Sequence, residues 1–266
     1  MNNRCIIQVL AAVAFVLNVT SCQDYEAVSQ PAVVAKTYDG TLLDYLSEGN
    51  AGPDIRFDSL LYLIDRLPGL KDSLSSPSGN LTLFVVPDRS FELSLKTLNS
   101  YRESYKLGKA LSLRDFMIEP FTVTDTVIKY PGTSFADTTY VDRKYDYRGQ
   151  VDSLVCRYIF SQGISTDSII ALGGDGELES LKYERNMYMT SARGTASGAS
   201  DLGLKYLNLI ETNNSKLQAQ WVTAAVSEMD IKATNGWIHV ISPRHEFGFN
   251  EVLKKFKDYG NEYKKQ

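Results

Sequence analysis

Histidine is scarce in this chain: there are two in 266 residues, His239 and His245. Imidazole is the side chain that most often moves protons near neutral pH, so nucleophilic catalysis of the Ser–His or Cys–His kind has little to draw on. The sequence also lacks a Gly-x-Ser-x-Gly nucleophile turn. Cysteine is nearly as rare, with Cys5, Cys22 and Cys156 only, too few for a disulfide framework or an all-cysteine zinc site. Positive charge is not in excess. There are 28 Lys and Arg against 32 Asp and Glu, a net −4, and no basic cluster lies among aromatics. Nucleic acid is therefore not an expected partner. No internal repeat is present. What the chain does have is a 43% apolar fraction, enough for a sizeable core, and 16 tyrosines.

The N-terminus reads MNNRCIIQVLAAVAFVLNVTSC. One positive residue, Arg4, precedes a short apolar stretch from Ile6 to Leu17, which is too short to span a bilayer and has the order of an export signal. The VTS before Cys22 resembles the lipobox of bacterial lipoproteins. That resemblance implies that residues 1–21 are removed and that Cys22 carries the lipid, holding the chain to a membrane. Losing Arg4 takes the net charge from −4 to −5 and leaves Cys156 as the remaining thiol, in the apolar context SLVCRYIF that suits an inert core cysteine. Residues 22–36 show no helical or strand period and read as a tether. Asp24 and Glu26 resemble the surface-export signal of Bacteroidota lipoproteins, which implies an outer-membrane, surface-exposed address.

The pattern changes at Gly40. TLLDYLSEG has apolar residues at helical spacing, with Thr41 placed to cap and Gly49 to stop the helix. FDSLLYLIDRLPGLKDSL repeats the pattern, with Asp58 or Ser59 as the cap, Leu60, Leu61, Leu63 and Ile64 inward, and Pro68-Gly69 as the break. NLTLFVV reads as a buried strand over Leu81–Val86, and Asp88 stands where it can cap the next helix through its side chain. FTVTDTVIKY and TTYVDRKYDY are β-rich runs joined by PGTSFAD, a hairpin-like excursion within residues 111–150. VDSLVCRYIFSQG reads as a helix ended by Gly163. Short strands follow, with GGDG (from Gly173) as a hairpin turn and RGTASGASD as an exposed loop. NEVLKKFKDYGNEYKKQ, with Asn250 as cap, reads as a terminal amphipathic helix over 250–266.

NGWIHVI, Asn235–Ile241, carries most of the information. Asn235-Gly236 is a strong turn signal, since both residues tolerate positive φ. The strand after it alternates Trp237, His239 and Ile241 with Ile238 and Val240, and is apolar on both faces, as in a strand buried inside a domain. A histidine there needs partners for its ring nitrogens and reads as a satisfied core residue. DIKATNGWIHVI, Asp230–Ile241, resembles the second signature of the fasciclin-like (FAS1) domain family. TLFVVPDRSF, Thr82–Phe91, resembles the first, with Pro87 one place later than usual. The resemblance implies an α+β fold, a twisted β-wedge or sandwich with packed helices. It covers a single domain over residues 37–249, with the excursion at about 111–150 as an insertion. It makes Asp88, Phe91, Asn235, Gly236 and His239 structural motif residues. The Tyr-His pair of the family falls at Tyr158-Ile159, so the histidine is missing there.

No catalytic constellation is expected. His239, His245 and Glu246 give no tetrahedral metal spacing, and His245 reads as lying in an exposed turn. GGDGE lacks the lysine of a phosphate loop and the carboxylate ladder of a calcium loop. The expectation is a protein that is not an enzyme and needs no metal or cofactor. What remains is binding, and the candidates are Tyr130, Tyr140, Tyr145 and Tyr147, four tyrosines beside Asp142, Arg143, Lys144 and Asp146, since tyrosine presents a flat apolar face with a polar tip; the other reading, and the favoured one, is that these rings pack the hairpin onto the domain. Lipoproteins of this kind resemble accessory components of starch-utilisation-type uptake systems, which implies a TonB-dependent transporter, its surface lipoprotein and glycans as partners. The alternative is adhesion to a host, to neighbouring cells or to matrix.

Overall fold

The computed structural model describes residues 36–49, 55–129, 131–134, 137–195 and 203–261. The leader, Cys22, most of the tether, Tyr130, most of the RGTASGASD loop and the last residues of the expected terminal helix lie outside them. Among the described residues no helix is long and apolar enough to cross a membrane.

The fold is built on LTLFV, strand β2 (Leu81–Val85), in which every residue is buried. β10 (Gly236–Ile241) runs parallel beside it, and β9 (Val222–Ala233) pairs antiparallel on the far side of β10. From β9 the sheet continues as an antiparallel meander through β8 (Lys205–Glu211) and β7 (Asn186–Arg193) to β6 (Asp175–Glu179). On the other side of β2 sits the short β5 (Ile159–Phe160), and β1 (Lys36–Thr37) runs parallel to β9. A bridge from Phe160 to Ser180 brings the two ends of this order together, so one mixed sheet curls nearly closed. β7 shows the alternation of a half-buried strand: Met187, Met189 and Ser191 are buried, while Asn186, Tyr188 and Thr190 point outward. β2 does not alternate because both of its faces are covered. The class is α+β, as expected, with a curled sheet and helices packed against it.

The first helices follow the sequence closely. α1 (Leu42–Glu48) has Thr41 and Asp44 in a reciprocal capping box and Gly49 in the left-handed region as its stop. α2 (Asp58–Ile64) buries Leu60, Leu63 and Ile64, with Leu61 half-buried, and has no cap of its own. Its cap comes from elsewhere. Asp88 is the first residue of α4 (Asp88–Ser104), and its Oδ1 accepts the Ser59 N–H at 2.7 Å while its own N–H donates to Arg56 O at 2.9 Å. The expected cap on α4 is therefore corrected: the two helix starts lie side by side, and the carboxylate serves the neighbour. α3 (Leu70–Ser75) starts from Gly69 in the left-handed region, as the Pro-Gly break implies. α4 buries Phe91, Ser94, Leu98 and Arg102 along one stripe.

Three further expectations are revised. The helix expected over 151–163 is α5 (Tyr147–Val155), a short 3-10 turn through Tyr158, and then β5, because Ile159 and Phe160 pair with Leu83 and Thr82. Asn250 does not cap α7 (Glu251–Phe256); it sits at φ 65 with no side-chain bond to the helix, so its left-handed tolerance makes a turn instead. GGDG is not a strand-to-strand turn. Gly173 and Gly174, both at positive φ, end α6 (Thr166–Ala171) and lead into β6.

β3 (Phe121–Lys129) and β4 (Asp137–Tyr145) form the expected hairpin, as a separate two-stranded sheet. The flanks of the excursion belong to the main body: Phe116 stacks on Phe256 at 4.1 Å, and Tyr147 is buried at the start of α5.

Candidate functional site

The two segments that resemble family signatures meet each other. β2 and β10 pair with Gly236 opposite Leu81, Ile238 opposite Leu83 and Val240 opposite Val85. Asn235 locks this pairing to the helices. Its Oδ1 accepts the Leu42 N–H at the start of α1, its Nδ2 donates to Leu74 O and Ser76 O, each at 2.9 Å, and its carbonyl accepts the Leu81 N–H at 3.1 Å. Gly236 is required by space: a Cβ there would sit 2.1 Å from Leu81 O. Neither residue has positive φ. The turn is where the Asn-Gly pair puts it, but the expected turn chemistry is replaced by an amide clamp and a close strand approach.

His239 is fully buried on β10. Its Nδ1 accepts the Asp230 N–H at 3.2 Å, which fixes the proton on Nε2, and Nε2 donates to Ile164 O at 3.0 Å. Burial lowers its pKa from the ordinary imidazole value. Asp230 sits at φ 59 where the β9–β10 register shifts, a bulge of the kind that re-aims side chains. Its carboxylate accepts the Thr166 N–H at 2.7 Å and the Thr166 hydroxyl, capping α6. Both ring nitrogens of His239 are thus spent on backbone.

His245 is buried rather than in an exposed turn. Its Nε2 lies 2.8 Å from the hydroxyl of fully buried Tyr158, which also accepts the Gly248 N–H at 2.9 Å. Phe249 packs on both rings and Phe247 stacks on Tyr158. Burial pushes the His245 pKa down to about 3 and raises that of Tyr158. Tyr158 thus finds a histidine 87 residues away rather than next to it. No local sequence signal gives that pairing; the nearest hint is the aromatic run HEFGF.

The other reactive groups are spent in the same way. Burial pushes the Cys156 thiol up to about 12, and its nearest polar neighbour is Asp152, at 3.6 Å. Fully buried Glu211 is held by Arg157 at 3.0 Å, Arg185 at 2.6 Å and the Asn213 N–H. Among the described residues no three His, Cys, Asp or Glu side chains are placed to hold a metal ion. A cleft of about 320 Å³ lies between α4 and the start of α7, lined by Ser94, Thr97, Glu246 and Asn250, but Thr97 and Glu246 already bond each other at 2.9 Å.

The tyrosines do not form one face. Tyr147 is in the core, against Phe256 and Tyr259. Tyr145 is half-buried, stacked on Phe121 with centroids 5.5 Å apart. Tyr140 alone of the described three is open, at 71% exposure. The reason is periodicity: Tyr140 and Tyr145 are an odd number of residues apart on one strand and so point to opposite faces. Tyr130 lies outside the described residues.

Comparison with family models and comparison with curated proteins each find no match. Among solved structures, a FAS1 domain pair from the insect cell adhesion molecule fasciclin I aligns with a TM-score of 0.41 and 14% identity, over 72% of this chain and 45% of that one. The chain spans less than half the length of that structure. A likeness this weak decides neither fold nor function.

Proposed function

We propose that this chain is a non-catalytic binding module of fasciclin type, displayed on an outer membrane by lipid at Cys22. Its work is to hold a glycan or a surface protein, within an uptake system that pairs a TonB-dependent transporter with surface lipoproteins. One observation supports the binding reading above all. Both histidines, the described thiol and the buried carboxylate Glu211 are occupied by structural partners, while the hairpin β3–β4 stands out with open apolar side chains. Loops and excursions on a rigid scaffold are where binding tends to reside. The address rests on the VTSC lipobox and the acidic residues after it. Adhesion is the second reading, favoured by the same exposed hairpin.

The test offers the full chain to an array of neutral and acidic glycans and, separately, to intact cells. Retention on glycans that is lost with Tyr140→Ala supports capture. Cell association without glycan retention supports adhesion. Turnover of any arrayed glycan refutes the non-catalytic reading.

A further inference from the structure

The hairpin is long for something that meets the core only at its root, where Phe121 and Tyr145 pack. Each strand has nine residues, a reach of about 30 Å. Its root is held by the Phe121–Tyr145–Tyr147 stack. Beyond the root, Val127, Ile128, Tyr140 and Val141 are exposed, four of the ten large apolar side chains left open among the described residues. They fall on both faces: Val127 and Val141 on one, Ile128 and Tyr140 on the other. Neither strand pairs with any other among the described residues, so both outer edges are open. Neither carries the proline that natural proteins use to blunt an edge. An isolated two-stranded ribbon is marginal in water, and adding strands is what stabilises it.

The sequence of β3 says which strand fits. The inner five residues of FTVTDTVIK, VTDTV, read the same in both directions about Asp125. Thr124 mirrors Thr126, and Val123 mirrors Val127. An antiparallel partner related by a two-fold axis at Asp125 would be another β3, with Val123 opposite Val127 of the second copy and Thr124 opposite its Thr126. All these pairs suit a strand interface. The one objection is a pair of like charges at the axis. Asp125 answers it, because its carboxylate is nearly buried against Arg143 of the same hairpin, with Nε 2.5 Å from Oδ2. Across the joined sheet the row through the axis would read Val141, Asp125, Asp125, Val141, and Arg143, opposite Val123, reaches diagonally to the carboxylate of its own hairpin, so each copy brings a neutral pair to the seam.

We propose that the hairpin joins two copies of this chain edge to edge, β3 to β3 about Asp125, making a four-stranded antiparallel sheet. The symmetry is isologous, so the contact closes at two copies rather than growing into a fibre. The interface is one strand pair and belongs to the small, weak class. Two copies held on one surface meet at high effective concentration, and there a weak contact is populated. This goes beyond the proposed binding function and does not depend on the ligand.

The test is sedimentation velocity of the full chain over a hundredfold range of concentration, with thermal melting of every variant. The expected result is a sedimentation coefficient that rises with concentration in the wild type and stays at the monomer value in Val127→Lys and in Thr124→Lys, with melting temperatures unchanged. Mild oxidation then reads the register. A mixture of Thr124→Cys and Thr126→Cys chains should give a 124–126 disulfide by peptide mass spectrometry at least tenfold above either variant alone. The two copies of residue 124 lie diagonally, two residues out of register, too far apart to bridge. A wild type that is monomeric throughout overturns the proposal. So does a dimer that survives both lysine variants, or a 124–124 disulfide that forms as readily as the 124–126 one.

Discussion

Replacing Asn235 by alanine should cost about 3–5 kcal/mol, far more than a turn residue is expected to carry. Three side-chain hydrogen bonds are lost together: from the Leu42 N–H and to the carbonyls of Leu74 and Ser76. Two of these backbone groups are buried, and a buried polar group left without a partner costs about 1–3 kcal/mol. Ser76 is half-exposed, so its carbonyl can turn to water at little cost. The bond from the Leu81 N–H to the Asn235 carbonyl survives, because it is backbone. Against a typical total of about 5–15 kcal/mol the loss is large. At roughly 2–4 °C per kcal/mol for a domain of this size, the melting temperature should fall by about 6–20 °C. Denaturant unfolding gives the direct reading, provided the slope m is the same for both proteins. Asn235→Asp is the internal control. It keeps the acceptor for Leu42 but turns a carboxylate toward two carbonyls, and should be no more stable than the alanine variant. A loss below 1 kcal/mol for Asn235→Ala, or a near wild-type aspartate variant, would refute the clamp and return Asn235 to an ordinary turn role.

Other expectations follow from the same contacts. His245 has its folded pKa depressed to about 3 by burial, against 6.5 for a free imidazole. Its contribution is therefore complete above pH 6.5 and is lost as the pH falls, by about 1.4 kcal/mol per unit between 6.5 and 3. His245→Phe, which keeps a ring among Tyr158 and Phe249, should flatten the stability slope between pH 6.5 and 5 by about that amount; an unchanged slope in urea titrations would contradict it. Tyr147→Ala should cost about 3–5 kcal/mol and Tyr140→Ala within about 0.5, since one ring is buried and the other open. Equal melting temperatures for the two variants would show that Tyr147 is not the packed ring. Cys22→Ala should abolish incorporation of labelled palmitate and leave the leader uncut by the lipoprotein pathway, and label that persists in the variant would place the lipid elsewhere.

What was legible in the sequence was whatever depends on neighbours in the chain. Thr41, Asp44 and Gly49 act within α1, and the helix begins and ends where they place it. The β3–β4 hairpin follows from alternation of residues and a Gly-containing joint. What failed were roles that reach across the fold. Asp88 looks like the cap of its own helix because a cap is normally local, yet its carboxylate finds the N–H of Ser59, 29 residues earlier. Asn235-Gly236 has the composition of a positive-φ turn, and nothing nearby says that three backbone groups from α1, α3 and the turn after it converge on the amide. His245 follows the turn-forming Ser-Pro-Arg of SPRHEFGF and reads as exposed despite the two phenylalanines after it; its burial depends on Tyr158, which no spacing rule connects to it. Tyr140, Tyr145 and Tyr147 are near one another in sequence, but a strand that runs into a helix sends the first two to opposite faces and the third into the core.

The contrast between the two histidines and the hairpin carries the functional argument furthest. A buried imidazole that accepts from one backbone N–H and donates to one carbonyl has no lone pair left for a substrate and no proton to lend. The bulge at Asp230 would be the natural place to look for stored strain at an active site, but its outlying φ is fixed by the His239 ring on one side and its own cap on α6 on the other. The strain is explained by structure alone. The hairpin is the reverse case. Its distal half buries little, and the domain core is complete without it, since Phe116, Tyr147, Phe256 and Tyr259 close the surface beneath its root. Open isoleucine, valine and tyrosine side chains on an unpaired ribbon add nothing to the stability of a solitary chain and raise its risk of aggregation. Contact with another molecule would give these side chains a physical role, and that is what the proposed binding function asks of the hairpin.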